Sequence, residues 1–352
     1  MSQFFSRRFD RLTPYTPGEQ PVDKPYVKLN TNESPFPPSD KAIAAAAEEA
    51  KMLQLYPDPT CGKLRGALAD TYGITPDRVV VTNGSDEALS FAFMAYGDCG
   101  VAFPDITYGF YRVFADLYNL DAVEIPLQED FTIDIQQYKG LGRTIFIANP
   151  NAPTGIPLTL DQIEEILVAN PDNVVVIDEA YVDFGGDSAV ALTDQYDNLL
   201  VTGTFSKSRS MAGARLGFAI GCPQLIADLE TLRYSTNPYN VNRMTLAAGL
   251  GQLADEETTR RNCQSVMDNR AYTTARLTEM GFTVIPSRAN FVLATCDAIP
   301  GKDLYLRLKD KGILVRHFDT DRLTAYNRIT IGTREQMDTL LSAIQSILEE
   351  QV

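Results

Sequence analysis

The segment TFSKSRSMAGARLGF, residues 204–218, contains a lysine between hydroxyl side chains and an arginine eight positions further on. The lysine, Lys207, follows the apolar run NLLVTGTF and so lies at the end of an expected buried strand. Two interpretations are open from the residues alone. The ammonium could extend to solvent at the rim of a sheet, or burial could lower its pKa so that the neutral amine forms a Schiff base with a carbonyl.

A carboxylate, Asp178, directly follows another apolar run, VVVI. A carboxylate at the end of a buried strand is costly unless it meets a cation or hydrogen-bond donors. Its partner could be a buried arginine, or the side chain could be exposed beyond the strand. Alternatively, it could pair with the protonated ring nitrogen of a cofactor, which would give Asp178 a chemical function.

A possible anion site lies in the segment VTNGSDEALS, where Gly84 and Ser85 come between a strand and a helix. Backbone amides at a helix N-terminus bind anions, and a glycine lets a phosphate approach closely. The alternative is an ordinary helix cap with Ser85 as the N-cap residue. Hydroxyl and guanidinium groups of Thr204, Ser206 and Arg215 could donate to the same anion.

The candidates must be brought together by the elements that carry them. From about residue 79, short apolar runs alternate with helical patterns such as DEALSFAFMAY and TLDQIEEILVAN, the second with Thr159 as its expected N-cap. The pattern predicts an α/β fold in which a mostly parallel sheet has helices on both faces. Ligands bind at the carboxyl ends of such strands, where Lys207, Asp178 and Ser85 all lie. The expected strands are RVVVTN, GVAFP, AVEIPL, TIFIANP, VVVIDEA, LLVTGTF and LGFAIG.

A second, smaller unit is predicted after this pattern. Residues 241–280 are helical in character with a break near Ala254–Glu256, and short strands, a helix and a closing helix follow, which indicates an α+β domain. The first forty residues are rich in proline and polar residues, and composition alone would make them a flexible arm. We expect an N-terminal arm over residues 1–35, a large domain over 36–245 and a small domain over 246–352.

Composition excludes several kinds of function. A formal net charge of −15 argues against nucleic acid or an anionic membrane as the main partner. The single histidine, His317, makes a metal site or a Ser-His-Asp hydrolase improbable. Five scattered cysteines, no apolar stretch long enough to span a bilayer and no signal-peptide pattern indicate a cytoplasmic protein.

Taken together, the candidates match one cofactor. Pyridoxal 5′-phosphate (PLP) needs an amine for its aldehyde, a carboxylate for its pyridine nitrogen, hydrogen bonds to its phenolic oxygen and a cradle for its phosphate. The chain offers all four.

At these residues the sequence resembles the fold-type I PLP-dependent aminotransferases, and the resemblance covers nearly the whole chain. The resemblance is carried by short sequence strings that occur in the same order as in the family. A single string would be weak support, whereas the ordered series is specific. The strings are LTPY, LNTNESP, YPDP, NGSDE, TYGFY, NPNAPTG, DEAYVDF, TFSKSRSMAGARLGFAIG, PYNVN, ILVR and RITIGT.

The resemblance implies a role for each matching residue. Lys207 would hold PLP covalently and transfer protons, Asp178 would pair with the pyridinium nitrogen, Tyr181 would contact the phenolic oxygen, and Tyr108 would stack on the ring. A homodimer is implied because, in this family, a tyrosine of the other subunit reaches the phosphate. The residues implied to hold the phosphate are Ser85, Asp86, Thr204, Ser206 and Arg215, with Tyr56 from the partner subunit.

The chain departs from the family pattern at one position. Ala152 stands where the family commonly has the asparagine that contacts the phenolic oxygen. Either Asn151 takes over this contact from the neighbouring position or Tyr181 makes it alone.

Four further residues match substrate-binding positions of the family: Tyr15, Asn30, Arg316 and Arg328. Because Tyr15 lies in the N-terminal arm, the resemblance implies that this arm packs with the small domain and folds over the site. Tyr15, Arg316 and Arg328 favour an amino donor that carries a phosphate and lacks an α-carboxylate, such as histidinol phosphate in histidine biosynthesis, with 2-oxoglutarate as the acceptor in a ping-pong reaction. An aromatic amino acid aminotransferase and a threonine-phosphate decarboxylase remain alternatives. A non-catalytic binding protein of the same fold is a further one, although Lys207 with Asp178 argues against it.

Overall fold

The computed structural model describes residues 2–10 and 12–350. Positions 1, 11, 351 and 352, which the predicted arm and small domain include, lie outside the described residues. The strands are β1 (Val27–Lys28), β2 (Val79–Thr82), β3 (Val101–Pro104), β4 (Ala122–Ile125), β5 (Thr144–Ala148), β6 (Val175–Asp178), β7 (Leu199–Thr204), β8 (Gly217–Gly221), β9 (Thr283–Ile285), β10 (Phe291–Thr295), β11 (Ile313–Leu314), β12 (Arg316–His317) and β13 (Asn327–Thr330). The helices are α1 (Asp40–Glu49), α2 (Gly62–Tyr72), α3 (Ser85–Tyr96), α4 (Phe110–Tyr118), α5 (Leu160–Ala169), α6 (Pro223–Thr236), α7 (Arg243–Leu253), α8 (Glu256–Glu279), α9 (Gly301–Asp310) and α10 (Arg334–Glu349).

The main sheet has seven strands in the order β2-β8-β7-β6-β5-β3-β4. Its strands run parallel except β8, which pairs antiparallel with both β2 and β7. All seven strands expected from the apolar runs are present, and the predicted α/β fold with a mostly parallel sheet is confirmed.

Helices cover both faces of this sheet, because successive side chains of a strand point to opposite faces. In β5, Ile145 and Ile147 belong to one buried apolar cluster, which includes residues of α2, α5 and α7. Phe146 belongs to the other cluster, with residues of α3, α4 and α6, and its ring stacks on Phe93 with centroids 3.8 Å apart. Burial on both faces explains why the strands are continuous apolar runs.

Two helix starts show why the sequence places helices where it does. Thr159 caps α5 in a capping box with Gln162, as its position before the helical pattern predicts. Thr333 and Gln336 form the same arrangement at α10. No helix within the described residues is long and apolar enough to cross a bilayer.

The smaller layer consists of the antiparallel sheet β12-β13-β10-β9 with α8, α9 and α10. The predicted helix break near Ala254–Glu256 is present, since α7 ends at Leu253 and α8 begins at Glu256. The predicted domain boundary between residues 245 and 246 falls inside α7, which packs on α1 and α2. The change from one layer to the other therefore lies closer to residue 255 in this structure.

The N-terminal segment packs against the rest of the protein, and from residue 27 onward it does so through a short strand. β1 pairs in parallel with β11, and Leu29 is buried in the core of the small layer. The composition-based expectation of a flexible arm is therefore wrong for this stretch, because its few apolar residues are the ones that are buried. Further upstream, Glu19 accepts hydrogen bonds from the side chains of Tyr305 and Lys309 in α9.

Candidate active site

A cavity of about 390 Å³ opens at the carboxyl edge of the main sheet. This volume lies within the usual range for a small-molecule site. The ends of β5, β6 and β7, the start of α3 and the N-terminal segment all contribute to its wall. Nine of the predicted site residues line it, namely Ser85, Asp86, Tyr108, Asp178, Tyr181, Thr204, Ser206, Lys207 and Arg215, together with Gln20, Thr31, Glu33, Ala148, Ala152, Ala180, Ala212 and Gly213.

The start of α3 has the geometry that the predicted anion site needs. Ser85 is the first helical residue and Gly84, with φ of +75°, is the N-cap, so Ser85 is not the cap that the simpler interpretation expected. No side chain among the described residues caps this helix. Its first amides are therefore available to an anion, and the helix dipole favours a negative charge there.

Two glycines allow this helix start to pack closely. A Cβ at Gly84 would lie 2.6 Å from Nη2 of Arg215, and a Cβ at Gly217 would lie 2.4 Å from the backbone nitrogen of Ser85. Contacts that short are not tolerated, so any larger residue would displace either the guanidinium or the helix start. β8 and α3 are thus held close enough for Arg215 to reach the first turn of α3.

Hydroxyl groups and a guanidinium lie near the start of α3. The hydroxyl of Thr204 donates to Oγ of Ser206 over 2.9 Å, and the backbone nitrogen of Ser206 donates back to Oγ1 of Thr204 over 3.1 Å. Nη2 of Arg215 lies 3.2 Å from the carboxylate of Asp86. The arrangement places several donors around the first turn of α3.

Asp178 is buried at the end of β6, with 4% of its surface exposed. Burial raises the pKa of its carboxyl to about 6, although hydrogen bonds from the hydroxyls of Thr202 (3.0 Å) and Tyr111 (3.1 Å) oppose the shift. Its neighbours among the described residues are thus hydroxyl and amide donors rather than a cation. A cationic group in the cavity would stabilise the charged carboxylate.

The amine of Lys207 lies in the same cavity and donates a hydrogen bond to the backbone oxygen of Thr31 over 3.2 Å. The pKa of this amine is lowered to about 8, mainly by burial and also by the nearby guanidinium of Arg328, against the opposing effect of Glu33. The rim interpretation of Lys207 is therefore wrong, because the side chain turns into the cavity. A lowered pKa makes the neutral, nucleophilic form accessible near neutral pH.

Two tyrosines lie on either side of the cavity. Nδ2 of Asn32 donates to the hydroxyl oxygen of Tyr181 over 3.0 Å, and Asn32 is itself fixed by a hydrogen bond from Thr330. The hydroxyl of Tyr108 donates to Asp86 over 2.7 Å, and its ring packs edge-on against Tyr111 at 5.8 Å. Both phenol groups are thus oriented by neighbours rather than free to rotate.

Asn151 is not placed as a cofactor contact. It does not line the cavity, and its amide is engaged within its own loop, where Oδ1 accepts from Thr107 and Nδ2 donates to Ile106 and Thr154. Ala152 lines the cavity instead. The expectation that Asn151 replaces the missing asparagine is therefore corrected, because its amide already holds the loop closed.

The four residues expected to bind substrate lie next to the cavity without lining it. Nη2 of Arg328 donates to the backbone oxygen of Asn30 over 3.1 Å, while Nε of Arg328 is buried without a hydrogen-bond partner in the part of the chain that is described. Arg316 lies directly across the β12–β13 ladder from Arg328. The ring of Tyr15 packs against Tyr108, with centroids 6.5 Å apart.

Tyr56 does not line the cavity of its own chain. It is 76% exposed, and its ring stacks on that of Tyr239 with centroids 4.5 Å apart.

Sequence reasoning missed three residues that hold the site together: Tyr111, Thr202 and Asn32. Tyr111 lies in the string TYGFY, of which only Tyr108 was assigned a role. Thr202 interrupts an apolar strand, and its register opposite Asp178 explains its contact with the carboxylate. A polar residue inside an apolar run, here Thr202, was the feature of the sequence that could have indicated a buried polar contact.

The mostly parallel sheet and the lysine and carboxylate in its cavity are the features expected of a PLP-dependent aminotransferase. Comparison with known proteins gives the same class independently. The family model for aminotransferases of class I and II matches residues 24–344. The chain belongs to this family, and the predicted fold-type I aminotransferase resemblance is confirmed.

More specific likenesses are found among individual proteins. The histidinol-phosphate aminotransferase of Brachyspira hyodysenteriae is 50% identical over 353 residues, covering 99% of this chain and all of that protein. That of Marinomonas is 48% identical with the same coverage. The solved structure of histidinol-phosphate aminotransferase from Sinorhizobium meliloti, in complex with pyridoxal-5′-phosphate, is similar in fold with a TM-score of 0.90 and 23% identity, covering 100% of this chain and 99% of that one.

The lowered pKa of Lys207 predicts its reactivity in the cofactor-free protein. Because the neutral form predominates above a pKa of about 8, acetylation of this amine by acetic anhydride should reach its half-maximal rate near pH 8, well below the value near 10.4 of an ordinary lysine. Peptide mass spectrometry across a pH series gives the rate, with the exposed Lys63 as an internal reference. A midpoint above pH 10 for Lys207 would contradict the burial of the amine.

Proposed function

We propose that this chain is a PLP-dependent aminotransferase that transfers the amino group of histidinol phosphate to 2-oxoglutarate, as a step of histidine biosynthesis, by a ping-pong mechanism. The observation that carries the proposal is the single cavity in which Lys207, Asp178 and the uncapped start of α3 meet. The amino donor is proposed from the relatives that share about half of its residues along the whole chain.

The residues of the cavity fit PLP. Asp178 would meet the ring nitrogen, where a positive charge would compensate its buried carboxylate. Tyr181 would donate to the phenolic oxygen and Tyr108 would cover the ring. Lys207 would hold the aldehyde carbon. The phosphate would be bound by the first amides of α3 at Ser85 and Asp86, by the hydroxyls of Thr204 and Ser206, and by Arg215.

When bound, PLP supplies an electron sink that stabilises negative charge at the Cα of the amino donor. The chain's own residues do the rest. The amine of Lys207, neutral above a pKa of about 8, would take the proton from Cα and then, as the general acid, deliver it to the carbon that carried the cofactor's aldehyde. Asp178 keeps the ring nitrogen protonated, and Tyr111 and Thr202 keep its carboxylate in place.

A pair of arginines supports an anionic substrate. Arg316 and Arg328 lie directly opposite each other in an antiparallel pair, where like charges are destabilising. Arg328 is also held between the rings of Phe291 and Phe318, at 5.3 and 5.7 Å, and burial lowers its pKa. Neither guanidinium forms an ion pair with a carboxylate among the described residues, and each donates only to a backbone oxygen, Arg328 to that of Asn30 and Arg316 to that of Thr16. Two such groups in this geometry are well matched to a phosphate or carboxylate shared between them.

The remaining part of the site is proposed to come from a second copy of the chain. Tyr56 is exposed beside Ile43, Met52, Leu53 and Leu55, which are 40 to 57% exposed. A group of apolar side chains of this size on a surface marks an interaction site. In the proposed homodimer this surface is covered, and Tyr56 of each chain reaches the phosphate in the other.

A cytoplasmic location is proposed on the basis of the cysteines. All five are free thiols, and three of them are buried. Unpaired thiols fit a reducing compartment.

Replacing Lys207 tests the proposed reaction. Lys207→Ala should lower turnover with histidinol phosphate and 2-oxoglutarate by at least about 10²-fold, because general acid-base catalysis is lost, while the melting temperature stays near that of the wild type. Borohydride should fix the cofactor on Lys207 of the wild type only, as found by peptide mass spectrometry. Phenylalanine and threonine phosphate serve as competing donors. A colourless protein that binds no PLP would leave only a binding function.

Replacing Arg328 tests the anion site. Arg328→Ala should raise the KM for histidinol phosphate roughly tenfold or more with a smaller change in kcat, because a charge-assisted hydrogen bond is lost. Arg334→Ala is the matched control, since Arg334 also stacks on an aromatic ring, Tyr272, but away from the cavity. An unchanged KM in Arg328→Ala would exclude this residue as the substrate's anion site.

Mixing two inactive or weakened subunits tests the dimer. Lys207→Ala and Tyr56→Ala each damage a different half of the proposed site, so a hybrid dimer contains one intact site made from both chains. Unfolding and refolding the two variants together should therefore give more activity than the sum of the two refolded separately. Analytical ultracentrifugation checks that dimers form, and a strictly additive result would show that Tyr56 does not act across an interface.

A further inference from the structure

The loop that carries Lys207 is held from behind by residues that do not touch the cavity. The backbone nitrogen of Met211 donates to the oxygen of Phe205 over 2.9 Å, and that of Ser210 donates to the oxygen of Lys207 over 3.3 Å. These bonds close the segment into a tight turn. The two residues after Lys207, Ser208 and Arg209, are 5% and 4% exposed, and neither lines the cavity.

Both of these residues bind the same carboxylate. The hydroxyl of Ser208 donates to Oδ2 of Asp183, and Nη1 of Arg209 lies 3.1 Å from the same oxygen. Asp183 belongs to a short 3₁₀ turn, Val182–Phe184, that begins directly after Tyr181. One carboxylate therefore joins the loop of Lys207 to the loop of Tyr181.

The guanidinium of Arg209 is fixed on several sides. Nη2 lies 3.4 Å from Glu256 at the start of α8, and the group lies over the ring of Phe205 at 5.2 Å. Burial opposes its charge, but Asp183, Tyr72 and Glu256 more than compensate and raise its pKa above the ordinary value. The side chain is therefore a permanent buried cation beside the loop.

A buried ion pair of this kind is a weak source of stability, because desolvation offsets most of the attraction. Its effect on geometry is more direct. Lys207 and Tyr181 come from the ends of two neighbouring strands, β7 and β6, and past these strand ends the sheet no longer fixes their separation. On the side away from the cavity, the Asp183 carboxylate links the two loops and so fixes the separation between Lys207 and Tyr181.

We propose that Asp183, Ser208 and Arg209 form a positioning unit that sets the place of the Lys207 amine relative to Tyr181 and Asp178. The inference rests on the proposed transamination, in which this amine moves a proton at Cα. An error of about 1 Å in such a group can cost on the order of 100-fold in rate. The three residues act through Lys207 and contact neither substrate nor cofactor.

Three substitutions test the unit in the holoenzyme: Ser208→Ala, Asp183→Asn and Arg209→Met. Each should lower kcat by about tenfold or more while the KM for histidinol phosphate changes by less than about threefold. Each should also shift, by roughly half a pH unit or more, the pH at which the visible absorbance of the bound cofactor titrates. The charged groups that act on the amine, Arg328, Glu33, Asp86 and Arg215, are unchanged in all three.

Arg78→Met is the matched control for Arg209→Met. Arg78 directly precedes β2, at the end of the strands opposite the cavity, where it forms an ion pair with Asp194 and donates to the backbone oxygen of Gly221, the last residue of β8. The Arg78→Met substitution should lower the melting temperature but leave kcat per bound cofactor and the absorbance titration unchanged.

A readout without cofactor separates this inference from the proposed function. In the cofactor-free protein, the acetylation midpoint of Lys207 should move in the three variants and stay in place in Arg78→Met. If the wild type shows no transaminase activity but these midpoints move, the function is wrong and the positioning unit stands. If the melting temperatures fall while kcat, the absorbance titration and the acetylation midpoint all stay at wild-type values, the unit is only structural. If Arg209→Met fails to fold, Ser208→Ala, which is the mildest of the three changes, decides whether the positioning unit exists.

Discussion

The site depends on one electrostatic constraint, the burial of a carboxylate and an amine in the same cavity. Burial raises the pKa of Asp178 to about 6 and lowers that of Lys207 to about 8, so each group is driven toward its neutral form. A flat cationic ring between them would relieve the carboxylate and leave the amine free as a base. The other polar residues of the cavity orient these two groups or, in the proposed function, would bind an anion beside them.

The architecture supplies this environment in two parts. The main sheet brings Asp178 and Lys207 to one edge. Because helices cover both of its faces, water is largely excluded from the two side chains. The N-terminal segment then closes the cavity from above, where Thr31 accepts from the amine and Asn32 donates to Tyr181. That segment is itself anchored on the small layer through β1 and β11, so the roof of the site belongs to the layer that also carries Arg328.

Much of this could be predicted from the sequence, and the failures have physical causes. The apolar runs predicted every strand of the main sheet. The polar residues near the strand ends, together with the resemblance to the aminotransferases, predicted nine residues of the cavity wall. Composition misjudged residues 27–36, because the burial of a few side chains such as Leu29 outweighs a polar average. Asn151 was misplaced, because no pattern in NPNAPTG reveals which way an amide turns in a loop. Thr202 was missed because its partner is set by register between strands, which the sequence of one strand does not contain.

The antiparallel direction of β8 has a consequence for how such a site can be inherited. Because β8 turns back beside β7, residues 205–216 leave and return to the same edge of the sheet, and the amine and the guanidinium of Arg215 lie on one short connection. Its far end is locked, since a Cβ at Gly217 would lie 2.3 Å from the carbonyl carbon of Gly84. The close packing at Gly217 therefore restricts how many residues this connection can contain. If Lys207 holds the cofactor and Arg215 its phosphate, as proposed, both functions depend on this one connection, and a change in its length would alter the two together.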